Sequence, residues 1–165
     1  MRMELIQPFI NAADAVLAET LQCSTRIADV DMSEEGYRRK GEAAIITIQG
    51  DIEGRVVFDL DNETGVAIAA ALSGSSPEEA AGLVKETVFE LANLVIGNAV
   101  TTLNDQGFRF KINPPESHTD NEDMRTSEDT EALVMCFEVP NGSVYMNIAM
   151  RYNRRRKAER AGAPS

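Results

Sequence analysis

Apolar residues recur along residues 3–21 at near-helical spacing (Leu5, Phe9, Ile10, Ala13, Val16, Leu17, Leu21), which predicts a first helix. Residues 25–31 read as a short strand, followed by the polar stretch DMSEEGYRRKG. The runs EAAIITIQ and RVVFDLD flank the turn GDIEG, a hairpin signal of β-branched residues around a glycine-bounded loop. A short helix over roughly 63–72 ends in SGSS. The clearest helix start comes next. Ser76 is a capping residue, Pro77 suits the first helical position, and Glu79 completes the S-x-x-E capping box. That helix is expected to run to about Asp105 and to close at Gly107. Beyond it lie a strand (FRFKI), a Pro-Pro break, an acidic loop from Glu116 to Glu131, and a second hairpin, EALVMCFEV–PNGS–VYMNIAMRY.

The two halves of this pattern are alike. ELIQPFINAADAVL (4–17) aligns with ELANLVIGNAVTTL (90–103), and the turn glycines Gly54 and Gly142 fall at nearly the same offset. The elements therefore predict an α+β domain over residues 1–153. It is built as two related helix-plus-three-strand units that form a six-stranded, mostly antiparallel sheet with the long helices on one face. The remaining residues, 154–165, are expected to be a basic, frayed tail.

The second long helix divides its faces sharply. At about 100° per residue and with Glu86 at zero, Glu90 falls near 40°, Asn93 near 340° and Gly97 near 20°. Val84, Val88, Leu91, Val95 and Ala99 lie between roughly 140° and 220°, which makes them the buried stripe and the polar set the solvent face. Glu90 and Asn93 are i, i+3 neighbours and can reach one partner site together. Phe89 and Ile96 fall beside the polar stripe, near 300° and 280°. Gly97 lies within it, at a cost to helix stability of about 1 kcal/mol relative to Ala. Exposed apolar flanks and a position without a side chain would allow another protein to approach closely. On the residues alone, a plain solvated face, with Gly97 tolerated and Phe89 tucked under a loop, is the simpler account.

Composition narrows the classes of function. Across 165 residues, 43% are hydrophobic and 26% charged, as in ordinary globular proteins, so one domain or two small fused halves are allowed. Aromatics make up only 5% and Trp is absent, which leaves Val, Ile, Leu, Ala and Met to build the core. The net charge of -11 argues against nucleic acid and favours a partner that presents Lys or Arg. The basic cluster Arg154–Lys157 is weak evidence to the contrary. No 18-residue apolar run predicts a membrane span, and Glu4 and Asp14 interrupt any export-signal reading, so a cytoplasmic location is expected. Cys23 and Cys136 lie far apart and read as buried reduced thiols. The single histidine, His118, stands in the acidic loop, and no HxxxH or CxxC pattern suggests a metal site. That loop also lacks the glycine and closing glutamate of a calcium-binding EF-hand, so it reads as a solvated segment.

The segment ETVFELANLVIGNA (86–99) resembles the phosphatase signature of the CheC/CheX/FliY family of response-regulator phosphatases. In that signature an Asp or Ser is followed after three residues by Glu, then after two by Asn, with a Pro some twenty residues later. Here Glu90 and Asn93 match, and Pro115 follows Asn93 by 22 positions. The first half offers Glu4 and Gln7, with Pro8 next, so its asparagine is missing. One intact site is the pattern of the CheX branch. Glu86 departs from the family by standing where Asp or Ser is usual, so it is assigned to docking and not to catalysis.

The resemblance implies a CheC-like fold, a homodimer, and dephosphorylation of the aspartyl phosphate of a CheY-like chemotaxis regulator. Glu90 and Asn93 would enter the regulator's active site, and Glu86, Phe89, Gly97 and Pro115 would contact it. No cofactor of its own is implied; the Mg²⁺ would belong to the regulator. Asn93 would hold the attacking water, because a carboxamide both donates and accepts. Glu90 would pair with a lysine of the regulator. Two rivals stand beside this reading: a non-catalytic adaptor for a regulator or flagellar switch protein, and a phosphatase for a regulator outside chemotaxis.

Overall fold

The computed structural model describes residues 3–31, 39–117 and 131–153. The acidic loop beyond Ser117, with His118, and the basic tail lie outside the described residues. Helix α1 (Met3–Leu21) opens the chain, followed by β1 (Arg26–Asp31), β2 (Gly41–Gly50) and β3 (Ile52–Asp61). Helix α2 (Asn62–Ser73) follows β3 directly. Its first turn is capped by Asp61, whose carboxylate accepts from the Thr64 backbone N–H at 2.8 Å.

Ser76 does cap the next helix, accepting from the Glu79 N–H at 3.3 Å. The predicted single helix over 77–105 is nevertheless interrupted. A four-residue α3 (Pro77–Ala80) passes into a 3₁₀ turn (Ala81–Leu83) before α4 (Val84–Asp105) begins. Gly82 is a poor helix former just past the capped start, and tight i→i+3 turns are common at helix termini. α4 closes as expected, with the Phe108 N–H reaching back to the Leu103 carbonyl and Gly107 at φ 93°.

Among the described residues the sheet has seven strands where six were expected, and every pairing is antiparallel. The strand order is β1-β6-β7-β3-β2-β4, with β5 also on β2. The extra strand arises from a break. β4 (Phe110–Ile112) and β5 (Glu116–Ser117) lie in succession along β2, Ile112 opposite Ile48 and Glu116 opposite Ile45. Pro114 and Pro115 separate them and have no N–H to give to the ladder. Asn113 bridges the gap, donating from its backbone and its side chain to the Thr47 carbonyl and hydroxyl at 3.1 and 2.6 Å. β6 (Glu131–Val139) and β7 (Gly142–Tyr152) form the second hairpin. Exchanging β1 with β4–β5, β6 with β2, and β7 with β3 reverses the strand order onto itself.

Alternation along the strands sends Ile46, Ile48, Val56, Phe58, Leu60, Met135, Phe137, Met146 and Ile148 to one face, where α1, α2 and α4 complete a single large core. The opposite face holds a second, small apolar cluster around Ala43 and Val57. Cys23 and Cys136 are free thiols, half-buried and not fully buried as expected.

One close approach ties α2 to the second hairpin. Gly142 has φ 141°, and a Cβ there would run into the Thr64 hydroxyl, which accepts from the Ser143 N–H at 3.1 Å. Gly142→Ala is therefore expected to lower the unfolding free energy by about 1–3 kcal/mol, from the disfavoured φ and the lost contact. Urea denaturation monitored by circular dichroism checks this.

Candidate functional site

The burial of α4 follows from its sequence periodicity. Val88, Leu91, Val95, Ala99 and Leu103 are buried to within 1% exposure, and Ala92 and Ile96 join them. On the helical wheel this buried arc runs from Thr87, at about 100°, to Ile96, at about 280°. Glu86, Glu90, Asn93 and Gly97 consequently face solvent on successive turns. The side chains of Glu90 and Asn93 have no hydrogen-bond or ion-pair partner among the described residues. Two polar groups one turn apart, held by a well-packed helix and engaged with nothing, are free to act on another molecule.

The flanks of this stripe differ from expectation. Ile96 is buried, because the core wraps further around α4 than the apolar stripe alone indicates. Val84, in contrast, is only half-buried, since the helix starts there and its first turn packs on Gly65 of α2. Phe89 is half-buried, with the Lys85 ammonium 5.7 Å from its ring centroid. On the other edge of the stripe stands Leu94, 46% exposed, which the sequence reading passed over. Its wheel position near 80°, beside Glu90 at i+4, was the available signal. Around Gly97, a Cβ would meet nothing within 4 Å. The chain's own packing therefore does not require glycine at that point. Pro115 lies on a different element, half-buried in the break between β4 and β5.

The first half of the chain presents a contrasting picture. Glu4 accepts from the Tyr152 hydroxyl, and the Gln7 amide donates to Asn11 at 2.8 Å. Pro8, inside α1, has no N–H to return to the Glu4 carbonyl. A cleft of about 370 Å³ between α1 and α4 is lined by Glu4, Gln7, Pro8 and Asn11 from α1 and by Asn98 and Thr102 from α4. The Glu90–Asn93 stripe is not in that cleft. It is an exposed ridge along α4, and does not enclose a small molecule. No group of His, Cys, Asp and Glu among the described residues is arranged to hold a metal ion, and none of their helices is long and apolar enough to cross a membrane.

Comparison with known proteins agrees with this architecture. A chain of the CheX–CheY–BeF3–Mg²⁺ complex from Borrelia burgdorferi is similar at 30% identity, covering 91% of this chain and 99% of that one, with a TM-score of 0.73. A CheC-like superfamily protein from Shewanella sp. PV-4 superposes with a TM-score of 0.77 at 21% identity, over 92% of this chain and 99% of its own. The chemotaxis protein CheX from Vibrio vulnificus gives a TM-score of 0.72 at 22% identity, over 90% and 99%. No curated protein sequence matches significantly. The family description "Chemotaxis phosphatase CheX" matches residues 43–138, more than half of the chain. With the antiparallel sheet, the helices packed on one face and these likenesses in agreement, the chain belongs to the chemotaxis phosphatase CheX family.

Proposed function

We propose that this protein hydrolyses the aspartyl phosphate of a CheY-like chemotaxis response regulator by inserting the α4 ridge into the regulator's active site. The observation that carries the reading is the pair Glu90 and Asn93, exposed, one turn apart and unpartnered, in a chain of the CheX family. The complex of the Borrelia burgdorferi relative contains CheY with BeF3 and Mg²⁺, which supports a receiver domain as the partner.

The chemistry asks little covalent work of the protein. A water attacks phosphorus, the bond from phosphorus to the aspartyl oxygen breaks, and the products are inorganic phosphate and a free carboxylate. Asn93 accepts from the water and donates to a phosphoryl oxygen, holding the water in line. Glu90 pairs with a lysine beside the phosphorylated aspartate and so sets the register of α4 in the cleft. The metal ion belongs to the regulator in this scheme. Glu86, Phe89 and Gly97 line the approach, and Pro115 is assigned to the same interface by the family signature. A CheY-like substrate places the reaction in the cytoplasm. Among the described residues β1 ends the sheet, and such an edge offers a route to a homodimer.

Three substitutions separate these roles. Asn93→Ala is expected to retain the fold and most regulator binding while slowing the catalysed rate at saturation by about 10²–10³-fold, as for the loss of one positioned polar group. Stopped-flow measurement of phosphate release checks it. If Asn93→Ala were as fast as wild type, the adaptor reading would gain.

Glu90→Ala is expected to raise KM and to recover partly at saturating protein. The wild-type KM should rise with ionic strength more steeply than that of the variant, because salt screens the ion pair. Gly97→Ala should stabilise the free protein by up to about 1 kcal/mol, since the new methyl meets nothing within 4 Å, yet raise KM several-fold by filling the approach. A thermal melt paired with steady-state kinetics reads both effects.

A further inference from the structure

Leu94 is out of place on the solvent side of α4. Every other exposed position of this helix is polar or glycine, whereas Leu94 is a large apolar side chain left 46% exposed. Among the described residues only Ile27 on β1 and Leu72 on α2 are comparable, at 45% and 41%. A lone surface leucine is ordinary in itself. This one has particular neighbours. It follows Asn93 directly, stands one turn beyond Glu90 and precedes Gly97 by three residues, so it shares a patch with the two unpartnered polar groups and the open notch. Together with Phe89 on the far side, it brackets the polar stripe with apolar contact. A small polar centre between apolar shoulders is the arrangement that excludes water from a docked site.

We propose that Leu94 is the apolar anchor of the regulator interface, buried against the receiver domain when Glu90 and Asn93 enter its active site. This rests on the phosphatase reading above and adds a docking residue that the Glu–Asn signature does not contain. The occupant is a receiver domain and not a second copy of this chain, because the patch is continuous with Glu90 and Asn93. Division of labour follows from the physics. Glu90 provides an electrostatic contact that salt weakens, whereas apolar burial at Leu94 is insensitive to screening. Leu94 therefore sets how long the complex lasts, and Glu90 sets how it is found and oriented.

The test uses Leu94→Ala and Leu94→Gln in the full chain, with a CheY-like regulator of the same organism. Alanine and glutamine are both good helix formers, so both variants are expected to melt within a few degrees of wild type. The result expected is a KM about 5–30-fold higher with the rate at saturation unchanged, and a penalty that persists from low to high salt. Affinity for the beryllofluoride-activated regulator should fall by the same factor. An unchanged KM, a loss confined to the rate at saturation, or a changed oligomeric state with normal KM would each overturn the proposal. The binding arm keeps the two claims apart. If wild type binds the activated regulator, Leu94→Ala weakens that binding, and neither speeds phosphate loss, the anchor stands and the phosphatase reading fails.

Discussion

The burial of one face of α4 is the constraint on which the rest of the site depends. Val88, Leu91, Val95 and Ala99 are each withdrawn from water against the sheet and the neighbouring helices. Burying one such valine or leucine contributes roughly 1.5–3 kcal/mol, so rotating the helix to hide Glu90 and Asn93 would cost several of these contacts together. The polar pair is thus held outward by the core, not by hydrogen bonds of its own. That is the arrangement the proposed partner role requires. The carboxylate and carboxamide have their hydrogen-bonding capacity unspent among the described residues, and the backbone carrying them is already ordered. Positional precision of this kind is most of what hydrolysis of an acyl phosphate needs.

The same frame accounts for the difference between the two long helices. The strand order reads identically from either edge when its halves are exchanged, which supports the two related units expected from the sequence. On α1, Glu4 and Gln7 stand where the sequence alignment sets them beside Glu90 and Asn93, yet both are engaged within the chain, Glu4 with Tyr152 and Gln7 with Asn11. Pro8 occupies the position aligned with Leu94 and is buried. Both long helices pack on the core, but the aligned polar pair of α1 is spent on surface contacts within the chain, whereas that of α4 has no partner among the described residues.

Most of this organisation is legible in the residues. The helical period of α1 and α4, the β-branched hairpin runs and the Ser76 cap each express a local preference that the tertiary structure keeps. What escaped the sequence reading depends on neighbours. Pro114 and Pro115 announce a break, but whether the chain resumes pairing at Glu116 depends on β2 lying alongside. Ile96 and Leu94 sit near opposite edges of the buried arc, at about 280° and 80°. A wheel alone does not tell how far the core wraps on each side, and only packing buries the first and exposes the second. The Glu–Asn pair was legible for another reason: resemblance to a family signature selected it from a face that, on physics alone, reads as ordinary solvated helix.

Charge fits the same picture. A chain with a net charge of -11 is best matched by a partner that shows a cation, and in the proposed complex Glu90 would offer the carboxylate for such a contact. The most direct test of the account is the first-order decay of a phosphorylated CheY-like regulator, followed with this protein in saturating excess so that binding does not limit the rate. The account predicts that the bound regulator loses phosphate far faster than the free regulator does. A complex that forms fully while the regulator decays at its own intrinsic rate would contradict it.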